Sequence, residues 1–296
     1  MKLNLRQLQI FCAISEHGST TSAAQAVALS QSATSAALNE LENTLGTRFF
    51  DRVGKRLILN DNGRALLPKA RRMLDAAQQI ESDFSPASEL KSRLRIGASS
   101  TIGNYILPSL LCQTRTSIPG LSVDVDIGNS AQVAALVANF DIDMGLIEGP
   151  CHLPQLIAEP WLVDELLIVA GASHPLAREP AVSLGQLCDA EWLLREPGSG
   201  TREEVEHLLL RHLHGLSDTR EMGSSEAIKR TLAQGLGISC LSRWVVADLL
   251  ESGALKVLQS GLPTFTRRFF LIRHRDKFVS SRLANFWTQC AGFPRA

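Results

Sequence analysis

Apolar positions in the first sixty residues recur with the period of helices. Leu5, Leu8, Phe11, Cys12 and Ile14 share one face of a helix that Gly18 ends. The stretch "STTSAAQAVALSQSATSAALNELENTL" holds two more, patterned by Ala23, Ala24 and Val27 and then by Ala33, Ala37, Leu38, Leu41 and Leu45. A tight turn at Leu29–Ser30 joins them, and small residues where they cross let the axes approach, which predicts a helix-turn-helix. After Gly46, Phe49 and Phe50 are candidate core, "RVGKR" offers a glycine turn between bases, and the alternating "RLILN" predicts a short strand. Together they read as a winged helix over residues 1–60.

From Asn62 to about Phe84 the pattern is one long helix. Leu66, Ala70, Met73, Ala77, Ile80 and Phe84 recur at spacings of 4, 3, 4, 3 and 4. That heptad seam suits a dimerising coiled coil, although packing of an amphipathic helix on its own domain gives the same pattern. "SPASELKS" at residues 85–92 follows as a hinge, so linker and hinge occupy 61–90.

Beyond the hinge the period changes. "LRIGA" (94–98), "LSVDVDIG" (121–128), "DIDMGLIEG" (141–149), "ELLIVAG" (165–171), "EWLLRE" (191–196) and "GISCLS" (237–242) are short apolar strands. Helical stretches at 131–139, 202–213 and 225–234 lie between several of them. The alternation predicts an α/β body, residues 91–296, with parallel sheets covered on both faces. Ligands of such sheets bind beyond the carboxyl ends of the strands.

Composition changes this picture little. A chain of 296 residues with 45% hydrophobic content and mean hydropathy of +0.04 suits a soluble protein of two or three units. No run is apolar enough to span a membrane and no signal peptide is visible, so no membrane partner and a cytoplasmic location are expected. Six scattered cysteines, without a CxxC pair or a histidine cluster, give no metal site, and no cofactor is expected.

Charge adds more. The formal net charge is zero, but through residue 72 ten bases face five acids. A basic module on a near-neutral body fits double-stranded DNA as a partner. The helix beginning near Gln31 presents Gln31, Ser32, Thr34 and Ser35 to the major groove, where Gln reads adenine in two-pronged fashion. Thr20 and Ser22, at the preceding helix start, are further candidates. Arg52, Lys55 and Arg56 on the wing would meet phosphate or the minor groove.

These motifs make the chain resemble the LysR-type transcriptional regulators over essentially its whole length. "LRQLQIFCAISEHGSTTSAAQAVALSQSATSAALNELENTLGTRFFDR" looks like the family's N-terminal signature, departing at Ser35–Ala36, where many members have Ser-Arg. "ASSTIGNYILP", "GNS", "LIEGPCH", "REPGSGTR" and "SSEAIKRTLAQGLGISCLSR" look like a YeiE-type branch near the CysB and CbbR groups. The resemblance implies a winged helix, a linker helix and a two-lobed effector domain similar to periplasmic binding proteins. The lobes would span about 91–163 with 267–296, and about 164–266. It also implies a homodimer or homotetramer, promoter control by an effector, and in this branch a small oxyanion such as sulfite.

The residues point to an anion independently. Hydroxyl and amide side chains stand where strands give way to helices: Ser99, Ser100 and Thr101; Asn129 and Ser130; Ser199, Gly200 and Thr201. Helix N-termini carry unpaired N–H groups and partial positive charge, although every such residue also serves as a cap. Arg202 could add a charge-assisted bond, although Arg195 or Arg202 could equally be a surface base. Glu148 at a strand end would repel an anion unless it is protonated or meets a donor on the ligand. "REPGSGT" lacks the lysine and spacing of a nucleotide loop, and no nucleophile elbow is present, so no catalytic residues and no enzyme are expected. The alternative within regulation is redox sensing by Cys151, beside His152.

Overall fold

The computed structural model describes residues 3–54, 56–83, 92–213 and 215–294. Lys55, Phe84 and the predicted hinge through residue 91 lie outside them. The chain divides into two compact units, the first covering 1–91 with 139–141 and 276–280, the second 92–138, 142–275 and 281–296.

In the first unit three helices start on side-chain caps. α1 (Leu5–His17) begins with a capping box between Asn4 and Gln7, α2 (Thr20–Ala26) on Ser19, and α3 (Gln31–Leu45) on Ser30. Leu8, Phe11, Ile14, Leu41, Phe49 and Phe50 close one core, with the Phe11 and Phe49 rings edge-on at 5.6 Å. Burying each such side chain stabilises the fold by about 1.5–3 kcal/mol. β1 (Phe50–Val53) pairs antiparallel with β2 (Arg56–Leu59), and the Leu57 N–H donates to the Gly18 carbonyl, fixing the wing to the end of α1.

α4 (Asp61–Asp83) corrects the reading of the seam. Leu66 and Ala70 pack on the winged-helix core, whereas Met73 and Ile80 are 40% and 63% exposed. The first half of the apolar stripe is therefore spent inside its own unit.

The second unit is built on one sheet in the order β4-β3-β5-β11-β6-β9-β7-β8, with β10 beside β6. These strands are β3 (Ser92–Ser99), β4 (Leu121–Gly128), β5 (Met144–Glu148), β6 (Leu156–Gly171), β7 (Glu191–Leu194), β8 (Asp218–Glu221), β9 (Ile238–Ser242), β10 (Leu255–Val257) and β11 (Phe265–His274). Parallel pairing holds for β4-β3-β5 at one end and β8-β7-β9 at the other, as predicted. The expectation fails between them, where β6 and β11 run antiparallel to each other and to their neighbours. These two long strands belong to both ends, and so make two lobes of one sheet. Separate cores follow: Ile96, Leu110, Met144, Phe269 and Phe286 in one lobe, and Ile168, Leu187, Trp192, Leu209 and Ile238 in the other. α5 (Ser100–Tyr105), α6 (Leu107–Ser117), α7 (Ser130–Ala138) and α12 (Ser281–Ala291) cover the first lobe. α8 (Leu184–Asp189), α9 (Gly200–Leu208), α10 (Ser225–Ala233) and α11 (Arg243–Glu251) belong to the second.

Candidate functional site

The predicted DNA-reading face is partly assembled. Gln31 and Ser32 are exposed at the start of α3, and Gln31 Nε2 donates to Thr20 Oγ1 at 3.3 Å, bringing the first turns of α2 and α3 together. Ser22 is exposed on α2, and Ser35 is half-buried. Thr34 is a correction: it is 0% exposed, and its hydroxyl donates to the Ser30 carbonyl at 3.0 Å, so it faces the core. Arg52 and Arg56 are exposed on the wing.

In the second unit the three predicted junctions converge across the lobes, but most of their donors are already engaged. Glu148, at the end of β5, is 2% exposed. Its Oε1 accepts from the Thr101 N–H at 3.0 Å, and its Oε2 from Thr201 Oγ1 at 2.8 Å and Arg267 Nη1 at 2.7 Å. Burial alone would raise its pKa. The Arg267 charge, the Thr201 hydroxyl, the nearby Ser99 hydroxyl and the Thr101 amide instead hold it down to about 2. The protonated Glu148 considered from the sequence is thereby overturned: it is an ionised carboxylate with its own cation.

Arg267 is the residue that sequence reasoning missed. It donates through Nη1 to Glu148 and Thr201, and through Nε to Asp164 Oδ2 at 2.7 Å; Ser242 Oγ holds the other Asp164 oxygen at 2.8 Å. The signal was present: in "FTRRFFLIRH" Phe265, Arg267, Phe269 and Leu271 share the buried register of β11. A base in that register requires a buried carboxylate partner.

The remaining predicted residues divide. Ser130 Oγ is spent on the Glu148 backbone, donating at 2.9 Å to its carbonyl. Ser199 caps α9 by accepting from the Arg202 N–H, and Thr201 serves the Glu148–Arg267 pair. Gly200 abuts the other lobe so closely that a Cβ would stand 2.1 Å from the Glu148 carbonyl oxygen. Arg202 is a correction, since its guanidinium turns to Glu206 and to the Arg195 carbonyl. Asn129 Oδ1 caps Gln132, while Nδ2 donates to Glu196 in the opposite lobe at 3.2 Å.

Among the described residues, the buried polar atoms without a partner at this site are the Thr101 and Ser99 hydroxyls and Arg267 Nη2. Thr101 Oγ1 is fully buried and meets no hydrogen-bond partner among the described residues; Ser99 Oγ meets none at ordinary geometry. Arg195, 3% exposed, reaches the residue between them: its Nη2 lies 3.5 Å from Ser100 Oγ, and its Nη1 2.7 Å from Ser225 Oγ. Ser100 Oγ itself donates to the Gly128 carbonyl at 3.1 Å. A further cross-lobe bond runs from the Tyr105 hydroxyl to Glu226 at 2.5 Å, with the buried Lys229 at 3.3 Å. A separate cavity of about 620 Å³ lies along Glu203, Glu204, His207, Arg268 and Phe270, and none of the predicted effector residues lines it.

Cys151 packs against the apolar cluster around Val133 and Ile272, and the His152 ring is taken by Glu203 at 2.5 Å. Burial pushes the Cys12, Cys240 and Cys290 thiols up to about 12, the behaviour of small core residues. Among the described residues no cluster of His, Cys, Asp and Glu could hold a metal, and no helix is long and apolar enough to cross a membrane.

Comparison with known proteins agrees with both units. Residues 5–64 match the bacterial regulatory helix-turn-helix protein, lysR family, and residues 87–293 match the LysR substrate binding domain. The chain is 49% identical over 297 residues to the uncharacterized HTH-type transcriptional regulator YeiE of Escherichia coli (strain K12), with 100% of both covered. It is 31% identical to the HTH-type transcriptional regulator CysL of Bacillus subtilis (strain 168), covering 95% of this chain and 97% of that one. Among solved structures, the Synechocystis PCC6803 CcmR regulatory domain in complex with 2-PG is 30% identical, with a TM-score of 0.62 over 68% of this chain and 97% of that one.

Proposed function

The chain belongs to the LysR family of transcriptional regulators, and from that premise we propose that a small oxyanion, sulfite foremost, controls its promoter binding from between the two lobes. Its full-length relatives are described as transcriptional regulators, not enzymes. The observation that carries the reading is the buried Thr101 hydroxyl without a partner, in the same turn as Ser99 and as Ser100, whose hydroxyl the buried Arg195 approaches at 3.5 Å. An unpartnered buried hydroxyl costs about 1–3 kcal/mol, a cost that a ligand oxygen would offset. Neutral donors with one cation suit a compact oxyanion better than a cation or an apolar molecule. The CcmR domain solved with 2-PG supports a small-molecule site in the corresponding domain here.

The proposal includes the role of each module. Residues 1–60 read DNA through Gln31, Ser32 and the wing arginines, 61–90 join protomers into a dimer or tetramer, and 91–296 sense the effector. A ligand bonded to both lobes favours their closed arrangement, and that differential affinity is what can alter DNA binding. Thermal unfolding of the full chain with sulfite, sulfate and simple carboxylates tests it. A midpoint that rises with sulfite supports the reading, and one that responds to none of them rejects it.

A further inference from the structure

Glu196 is the residue of the "REPGSGT" loop whose contacts the effector reading leaves unexplained. Its carboxylate is gripped in two-pronged fashion by its own chain neighbour: Arg195 Nε lies 2.7 Å from Oε2, and Arg195 Nη2 2.8 Å from Oε1. Asn129 Nδ2, from the opposite lobe, adds a third donor to Oε1 at 3.2 Å. Arg195 itself is sealed in, with its side chain 2% exposed, whereas the Glu196 side chain keeps 21% of its surface in solvent. The cation is therefore fixed and its carboxylate partner sits at the rim, able to swing outward without crossing the core. Arg195 Nη1 is meanwhile anchored on Ser225, and Nη2 reaches towards Ser100 in the other lobe. Removing the Glu196 carboxylate would leave a buried guanidinium aimed at the same hydroxyl-lined junction that Thr101 and Ser99 border.

We propose that Glu196 is a tethered competitor that sets both the affinity and the selectivity of the effector site: an incoming oxyanion takes over Arg195 and Asn129 as the Glu196 side chain leaves them. The inference rests on the reading that the effector binds between the lobes. The exchange is charge for charge, so the buried guanidinium is never left unpaired, which avoids the main penalty of breaking a buried ion pair. It also explains selectivity. A free monocarboxylate offers Arg195 nothing that Glu196 does not, and Glu196 is held at an effective concentration on the order of millimolar or above. Sulfite and sulfate carry additional oxygens, which can reach Thr101, Ser100 and Asn129 while one edge occupies Arg195. Such anions displace the tethered carboxylate, and acetate does not.

The test is calorimetric titration of the full chain with sulfite, sulfate and acetate, in the parent and in Glu196→Gln and Glu196→Asp. Glu196→Gln removes the competing charge, and sulfite should bind about tenfold tighter, the worth of one charge-assisted hydrogen bond. Acetate, undetectable in the parent, should become measurable. Glu196→Asp keeps the charge, and with it the fold, but shortens the reach to Asn129, so its sulfite affinity should fall between the other two. Sulfite affinities in Glu196→Gln that are unchanged or weaker overturn the inference, as does unaltered discrimination against acetate. If Glu196→Gln does not fold, the ranking of Glu196→Asp against the parent decides alone. Thr101→Val separates the two levels of the account. If it destroys sulfite binding while Glu196→Gln changes nothing, only the competitor role falls; if it leaves sulfite binding intact, the inter-lobe site itself is wrong.

Discussion

Arg267 Nη1 lies 2.7 Å from Glu148 Oε2, and neither side chain has more than 2% of its surface in solvent. The same guanidinium reaches Asp164, so one buried cation on β11 is shared by two buried carboxylates, one on β5 and one on β6. Replacing it with methionine leaves both acids without a counter-charge. Arg267→Met should lower stability by about 3–5 kcal/mol, the usual cost of breaking a buried pair. Denaturant unfolding at neutral pH measures it, and a loss within 1 kcal/mol or so would mean the pair is better solvated than its burial indicates.

The pH dependence follows from Glu148. Its pKa falls from 4.5 to about 2 on folding, so its contribution is complete above pH 4.5 and fades as pH drops towards 2. The shift corresponds to on the order of 3 kcal/mol. Asp164 acts in the opposite sense, because burial holds its pKa up despite Arg267. Comparing the parent with Glu148→Gln isolates the first contribution: unfolding free energy between pH 5 and 2.5 should fall less steeply in the variant.

Much of this was visible in the sequence, and the failures have physical causes. Caps and helical period located α1 to α3, and Gln31 does open α3. Thr34 was misplaced because at the N-terminal turn of a helix one position separates the outward face from the core. β11 was missed because its three arginines mask an alternation that becomes clear only once its neighbours are known. Glu148 was recognised as a problem for anion binding, but its partner stands 119 positions away, beyond the range of any local pattern. The junctions were read as open helix starts, whereas Glu148, Gly198 and Glu196 already use several of their donors.

At Gly200 the two lobes approach closely, backbone against backbone. In Gly200→Ala the new methyl group would stand 2.1 Å from the Glu148 carbonyl oxygen, and backbone cannot yield as a flexible side chain does. The lobes must part there, at a cost of about 1–3 kcal/mol. Sulfite affinity measured by calorimetry should fall at least about tenfold with that loss of closure. Unchanged affinity would show that closure at this point is not coupled to the ligand.

On the DNA side, Gln31→Ala should relax sequence preference by about 1–3 kcal/mol against the preferred base. Arg52→Ala or Arg56→Ala should instead weaken binding to all sequences and reduce the salt slope by about one. Thr34→Val should leave both unchanged, because its hydroxyl faces Ser30. Fluorescence anisotropy across a salt series distinguishes the three patterns.

The proposed protomer contact runs along the outer half of the α4 stripe. Ile80 is 63% exposed, and in a symmetric coiled coil Ile80→Lys would set a charge against its own copy. Light scattering should record a smaller mass for this variant than for the parent. An unchanged mass places the protomer contact elsewhere.

In the proposed site an oxyanion satisfies the buried hydroxyl of Thr101. Thr101→Val keeps the shape of the side chain and removes a polar atom without a partner, so stability alone should hold or rise by about 1 kcal/mol. The decisive measurement is the unfolding midpoint of parent and Thr101→Val with and without sulfite. At about 100 times its dissociation constant, sulfite should stabilise the parent by about 2.7 kcal/mol. Thr101→Val should be at least as stable as the parent without sulfite and should gain nothing from it. A variant that responds to sulfite as the parent does would show that the anion is held elsewhere.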